Sequence, residues 1–195
     1  MQHENVKKIR PSSSEVEFLT LAYKRFYDLF DEIIEDSFWN KDEWERYSKI
    51  CQGFFIYTEL LNYESIKQVI EKLKTIRPPM ESEIGSELFK FIRNLLVHFP
   101  LYCKWNDVWV NKSIVNWHKK GLTIDKFLKK YAGAREVKYR FWEEKHKRMT
   151  YLSINFPMEY NDTTKVYLKD IVDEQDGIKF SFILMKKILD TQVEK

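Results

Sequence analysis

Arg93, Asn94 and His98 stand within one short run, FIRNLLVHFP, that is otherwise apolar and is stopped by a proline. An arginine keeps its charge near neutrality and grips phosphate with a planar fork, while a histidine exchanges a proton in the same pH range. An asparagine offers both a donor and an acceptor that can hold either of them in place. The three together make a kit for phosphodiester chemistry. A lone histidine beside a core is more often structural, so the weight falls on the combination.

A helix must position them. Ile84, Leu88, Ile92, Leu95 and Phe99 recur at spacings of three and four, which predicts a helix from about Ser82 to Phe99, ended or kinked by Pro100. Asn94 and His98 are then one turn apart, flanking the apolar stripe, with Arg93 one step further round. Val97 points outward with Arg93 and Leu96 lies partly off the stripe. The leftover apolar surface asks for a cover, from another helix or from a second copy of the chain.

Similar patterns predict the surrounding elements. Val16, Leu19, Tyr23, Phe26, Phe30 and Ile33 mark one face of a long helix, with Ser14 and Glu17 as a capping box. A second helix follows Asn40, with Asp42 in its first turn and Trp44, Tyr47, Cys51, Phe54 and Leu61 buried, ending near Asn62. A third carries Ile66, Val69, Ile70 and Leu73 before Arg77-Pro78-Pro79, a firm break. Further helices are expected over Asp107 to Lys119, Thr123 to Tyr131 and Gly133 to Met149. Asn161 or Asp162 could cap another, and Gln175-Asp176-Gly177 reads as a turn. IKFSFILMKKILDTQ then closes the chain as a helix or a strand.

The expected fold is therefore all-α, an antiparallel helical bundle over residues 1 to 119 with an accessory basic helical region over 120 to 195 packed on it. Five glycines and five prolines are too few for the turns of an all-β chain. No stretch approaches a membrane span, and MQHENVKKIRPSSSE lacks the apolar core of a secretion signal, so a cytoplasmic protein is expected. Cys51 and Cys103, far apart and outside any CxxC pair, read as buried free thiols.

The spelling Arg93-Asn94-x-x-x-His98 resembles the RNxxxH form of the arginine-histidine signature of the HEPN superfamily. Those are small helical domains that include many RNA-cleaving toxins and abortive-infection proteins of bacterial phage defence. The longer string RNLLVHFPLYCKWNDVW, with Trp105-x-Asp107-x-Trp109, looks like an abortive-infection branch, and the resemblance covers residues 12 to 119. It implies cleavage of RNA without metal or other cofactor, by attack of the ribose 2′-OH on phosphorus. It also implies a composite site in a homodimer, because one histidine per chain cannot easily act as both base and acid. His98 would transfer protons, Arg93 would hold the scissile phosphate, and Asn94 would orient one of them. An antitoxin or a defence partner protein is a further possible partner. The rival reading is a HEPN-type module that binds a nucleotide, an RNA or a partner without cutting it. A third treats the polar edge as dimer contact alone.

Residues 118 to 150 hold 11 lysines or arginines against 4 acids, in a chain of formal net charge +3. Lys119, Lys120, Lys129, Lys130, Arg135, Lys138 and Arg140, with Tyr131, Tyr139, Phe141 and Trp142 interleaved, form either an RNA-holding surface or a solvated helix face. Trp105, Trp109 and Trp117 at spacings of four and eight suggest one helical side, in a core or interface. Glu143-Glu144-Lys145-His146 has a single E-x-x-H where a di-iron bundle needs two, so no metal is expected. His3 and His118, without obvious partners, read as surface residues. No phosphate loop, serine elbow or Cys-His pair is present.

Overall fold

Serine and aspartate side chains start the first two helices. Ser12 Oγ accepts the Glu15 N–H at 3.3 Å and the Glu15 carboxylate accepts the Ser12 N–H at 2.6 Å, a reciprocal cap that opens α1 (Ser13–Ile34). The capping box thus uses the serine two positions before the expected Ser14. Asp42 caps α2 (Glu43–Leu60) from outside, accepting from Trp44 N–H at 2.9 Å, rather than sitting in its first turn. A computed structural model describes residues 12–76, 84–118, 121–133, 137–143 and 147–190.

A short 3-10 turn, Asp36–Asn40, joins these helices, and α3 (Glu64–Ile76) follows. Ile66 and Ile70 are buried as expected, while the diproline and the side chains of Val69 and Leu73 lie outside the described residues. A π-type turn, Ile84–Leu88, leads into α4 (Phe89–His98), which ends where the residue before Pro100 resists the helical region. Val16 and Trp44, expected inside, are about half exposed at 47% and 56%.

The stretch read as a helix from Asp107 to Lys119 is instead broken into three. A turn over Trp105–Asp107 precedes the two-residue strand β1 (Trp109–Val110), and α5 (Lys112–Trp117) is capped by Asn111. The three tryptophans therefore share no helical side: Trp105 is fully buried and donates from its indole to the Val172 carbonyl at 2.8 Å, whereas Trp117 is 82% exposed. Next comes α6 (Leu122–Tyr131), as expected.

The helix expected over Gly133 to Met149 is a hairpin of β2 (Val137–Glu143) and β3 (Arg148–Ile154). Its sequence alternates with period two: Val137 and Tyr139 face inward while Lys138, Arg140 and Trp142 face outward, paired with Ser153, Tyr151 and Met149. Charge density had masked that alternation. Among the described residues the fold is thus mostly helical with two small antiparallel sheets, the second pairing β1 with β4 (Val166–Tyr167).

A one-turn helix, α7 (Leu168–Ile171), precedes the closing α8 (Asp176–Asp190). Asp173 accepts the N–H groups of Asp176 and Gly177 at 2.9 and 3.0 Å, and Gln175 lies in the turn before the helix, so the QDG run spans that turn and the first residues of α8. Asn161 caps no helix; its side chain closes a local turn on the Thr163 and Thr164 N–H groups.

Helices α1, α2, α4 and α8 meet on an aromatic core. Phe182 of α8 stacks on Phe26 and meets Phe54 edge-on, both at 5.9 Å, and Phe54 in turn touches Phe89 and Trp105. The hairpin joins this core through Tyr139 against Phe180. Cys51 is buried within it, but Cys103 is exposed.

Candidate active site

The helix α4 lies between α2 and α6, which widens its buried face. Phe89, Phe91, Ile92, Leu95 and Leu96 are all inside, so Leu96, expected partly off the stripe, is covered by the chain's own helices. Val97 remains 38% exposed.

Antiparallel packing of α4 and the π-type turn before it on α6 forms three rungs. The Lys130 ammonium meets the Glu87 carboxylate at 2.9 Å, Phe91 stacks on Phe127 at 4.1 Å, and the Asn94 amide donates to Thr123 Oγ1 at 3.0 Å. Between the helices is a cleft of about 300 Å³, with Lys90 and Lys126 on its rims and Asn94 at one end. Among the described residues, neither of these rim lysines is ion-paired.

Asn94 also accepts from the Arg93 guanidinium at 3.1 Å, while the other terminal nitrogen of Arg93 reaches Glu59 of α2 at 3.2 Å. Arg93 Nε is buried without a hydrogen-bond partner. One amide thus ties the arginine to the wall of the cleft.

One turn further on, the His98 ring lies 5.3 Å from the ring of His118, inclined by 28°, and Phe99 packs on His118 at 5.5 Å. His118 is therefore no isolated surface residue. Its sequence position gave no sign of this, since twenty residues and a change of direction separate it from His98. Exposed apolar side chains adjoin the same residues along the chain: Leu101 at 69%, Trp117 at 82% and Leu122 at 69%.

The basic residues singled out in the sequence are divided. Lys119, Lys120 and Arg135 lie outside the described residues, as do His3 and most of the E-x-x-H run. Lys130 lines the cleft. Lys129 is engaged instead by Asp125 at 2.6 Å, whose second oxygen accepts from Tyr160 at 3.2 Å. Burial and that carboxylate push the Tyr160 phenol above its ordinary pKa. Lys138 and Arg140 project from the outer face of the hairpin beside the exposed Trp142 and Tyr151. Tyr131 and Tyr139 are buried and unable to stack on bases, and the Phe141 side chain lies outside the described residues.

Glu59, Thr123, Lys126 and His118 were not legible as site residues because they join from α2, from α6 and from the end of α5, whereas Lys90 is local to α4, one turn before Asn94, and that spacing was the available signal. Among the described residues, no group of three or more His, Cys, Asp or Glu side chains could hold a metal ion. No described helix is long and apolar enough to cross a membrane. Comparison with family models, with curated proteins and with solved structures gave no match.

Proposed function

We propose that this protein is an endoribonuclease of the HEPN type, cutting RNA without a metal ion and serving as a toxin-like effector in bacterial phage defence. The observation that carries the reading is the Asn94 amide, which links the Arg93 fork to a lysine-rimmed cleft one helical turn from His98.

The chemistry follows from those groups. RNA carries its own nucleophile, the ribose 2′-OH, so cleavage needs a proton acceptor, a proton donor for the departing 5′-oxygen and positive charge for the phosphorane. His98 transfers a proton. Arg93, oriented by Asn94, holds the non-bridging oxygens as their charge grows. Lys90 and Lys126 would hold flanking phosphates, with Lys130 joining them where a phosphate displaces Glu87, which gives the strand a path along the cleft.

Glu59 must release Arg93 for this to happen. Its carboxylate stands where a phosphate oxygen would, and exchange of one anion for the other is cheap because Glu59 is more than half exposed. The reading includes a homodimer in which a second copy covers Val97, Leu101 and Trp117 and brings its own Arg93 and His98 to a shared groove. An antitoxin or defence partner remains part of the proposal.

The test is an RNA-cleavage assay in chelator. Wild type should leave cyclic phosphate ends, and His98→Ala and Arg93→Ala should each abolish cutting in a protein that stays folded. Tight RNA binding without products, insensitive to His98→Ala, would establish the module that binds and does not cut.

A further inference from the structure

We infer that His118 is the second proton-transfer group of this site, acting with His98 of the same chain. The inference rests on the proposed ribonuclease reading, and concerns which residue completes it.

In the transfer, the 2′-O–H proton passes to one imidazole as the 2′-oxygen bonds to phosphorus. The phosphorus–O5′ bond then breaks, and O5′ takes a proton from the other, protonated imidazole. The products are a 2′,3′-cyclic phosphate and a 5′-OH, and proton exchange with water resets the two rings. Attacking and departing oxygens lie on opposite sides of one phosphorus. Acid and base must therefore stand within the span of a single phosphate, which rings with centroids 5.3 Å apart do.

The fold holds His118 there. His118 caps the end of α5, and its carbonyl accepts the Gly121 N–H at 2.8 Å. A Cβ at Gly121 would lie 2.1 Å from the Val115 carbonyl oxygen, so only glycine lets the start of α6 approach α5 this closely. Phe99, buried and next to His98 in the chain, packs on the His118 ring with centroids 5.5 Å apart. Both imidazoles stay partly exposed, so a strand can reach them. Proton transfer within one chain frees the second copy from supplying an imidazole, and leaves it the task of covering the apolar rim and extending the groove.

The discriminating variant is His118→Phe, which keeps a ring for the stack and removes both nitrogens; His118→Gln serves as the second. With chelator present and folding checked by circular dichroism, both should lower kcat by roughly 10²–10⁴-fold. KM should change little, and one limb of the pH–rate profile should disappear. If His118→Phe or His118→Gln cuts at the wild-type rate with both limbs intact while His98→Ala is dead, His118 is structural and the nuclease reading stands without it. If wild type itself makes no cyclic phosphate, both ideas fall together.

Discussion

The Glu59 carboxylate of α2 lies 3.2 Å from the Arg93 guanidinium of α4, so the cation proposed to hold phosphate is held by an anion of its own chain. The Arg93 side chain is 31% exposed and that of Glu59 55%, which makes the pair solvent-screened and easily exchanged. In the proposed reaction a bound strand would compete with Glu59 for the same fork.

Removing that competitor should tighten binding. Glu59→Gln keeps the shape and a weak acceptor but loses the charge, and affinity for a 2′-deoxy strand that cannot be cut should rise several-fold. Fluorescence anisotropy at low salt reads this, and thermal stability should move by less than about 1 kcal/mol. Unchanged affinity would place the strand elsewhere.

The rim lysines predict a salt dependence. Each phosphate contact on a single strand contributes about 0.7 to the slope of log affinity against log salt. Lys90→Ala and Lys126→Ala should each lower the slope by about that amount. Lys129→Ala should lower it less, because Asp125 already occupies that ammonium. Equal slopes for all three variants would remove the cleft from the binding path.

Core packing at a distance from the site gives a stability test. A Cβ added at Gly53 would lie 2.2 Å from the tip of the Phe182 ring, which is wedged between Phe26 and Phe54 with no room to withdraw. Gly53→Ala should destabilise the fold by about 1 to 3 kcal/mol in denaturant titration. A neutral result would mean that α8 can slide on α2.

Alkaline pH should weaken the fold. Burial pushes the Cys51 thiol up to about 12 from an ordinary 9.0, and burial likewise raises the Tyr23 phenol to about 12. The folded chain keeps protons that the unfolded chain gives up. This contribution to stability is complete below the ordinary thiol value and is lost as pH rises from there toward 12. Denaturant midpoints measured on either side of pH 9 should fall accordingly. A thiol reagent at neutral pH should label the exposed Cys103 at once and Cys51 only after unfolding.

Much of the helical frame could be read along the chain. The apolar spacing of α2, α4 and α6, the Asp42 cap of α2 and the stop of α4 before Pro100 are local, and each sets the same conformation wherever the helix ends up. The grouping of Arg93, Asn94 and His98 on one polar edge is legible for the same reason, since residues one helical turn apart are neighbours in any fold. Local signals failed where two tendencies competed. VKYRFW has a strand's alternation and a helix's charge density, and packing of Tyr139 on Phe180 selects the strand. The stretch after Trp105 breaks because Trp105 is drawn into the core and Val110 pairs with Val166.

Periodicity along one helix therefore specified which side chains point together, whereas contacts across elements depended on packing far along the chain. Glu59 against Arg93, Thr123 against Asn94 and His118 against His98 span 34, 29 and 20 residues. No local spacing encodes such pairs. They exist because burying the aromatic core lays α2, α5 and α6 around α4, and the polar edge of that helix meets whatever those elements carry there.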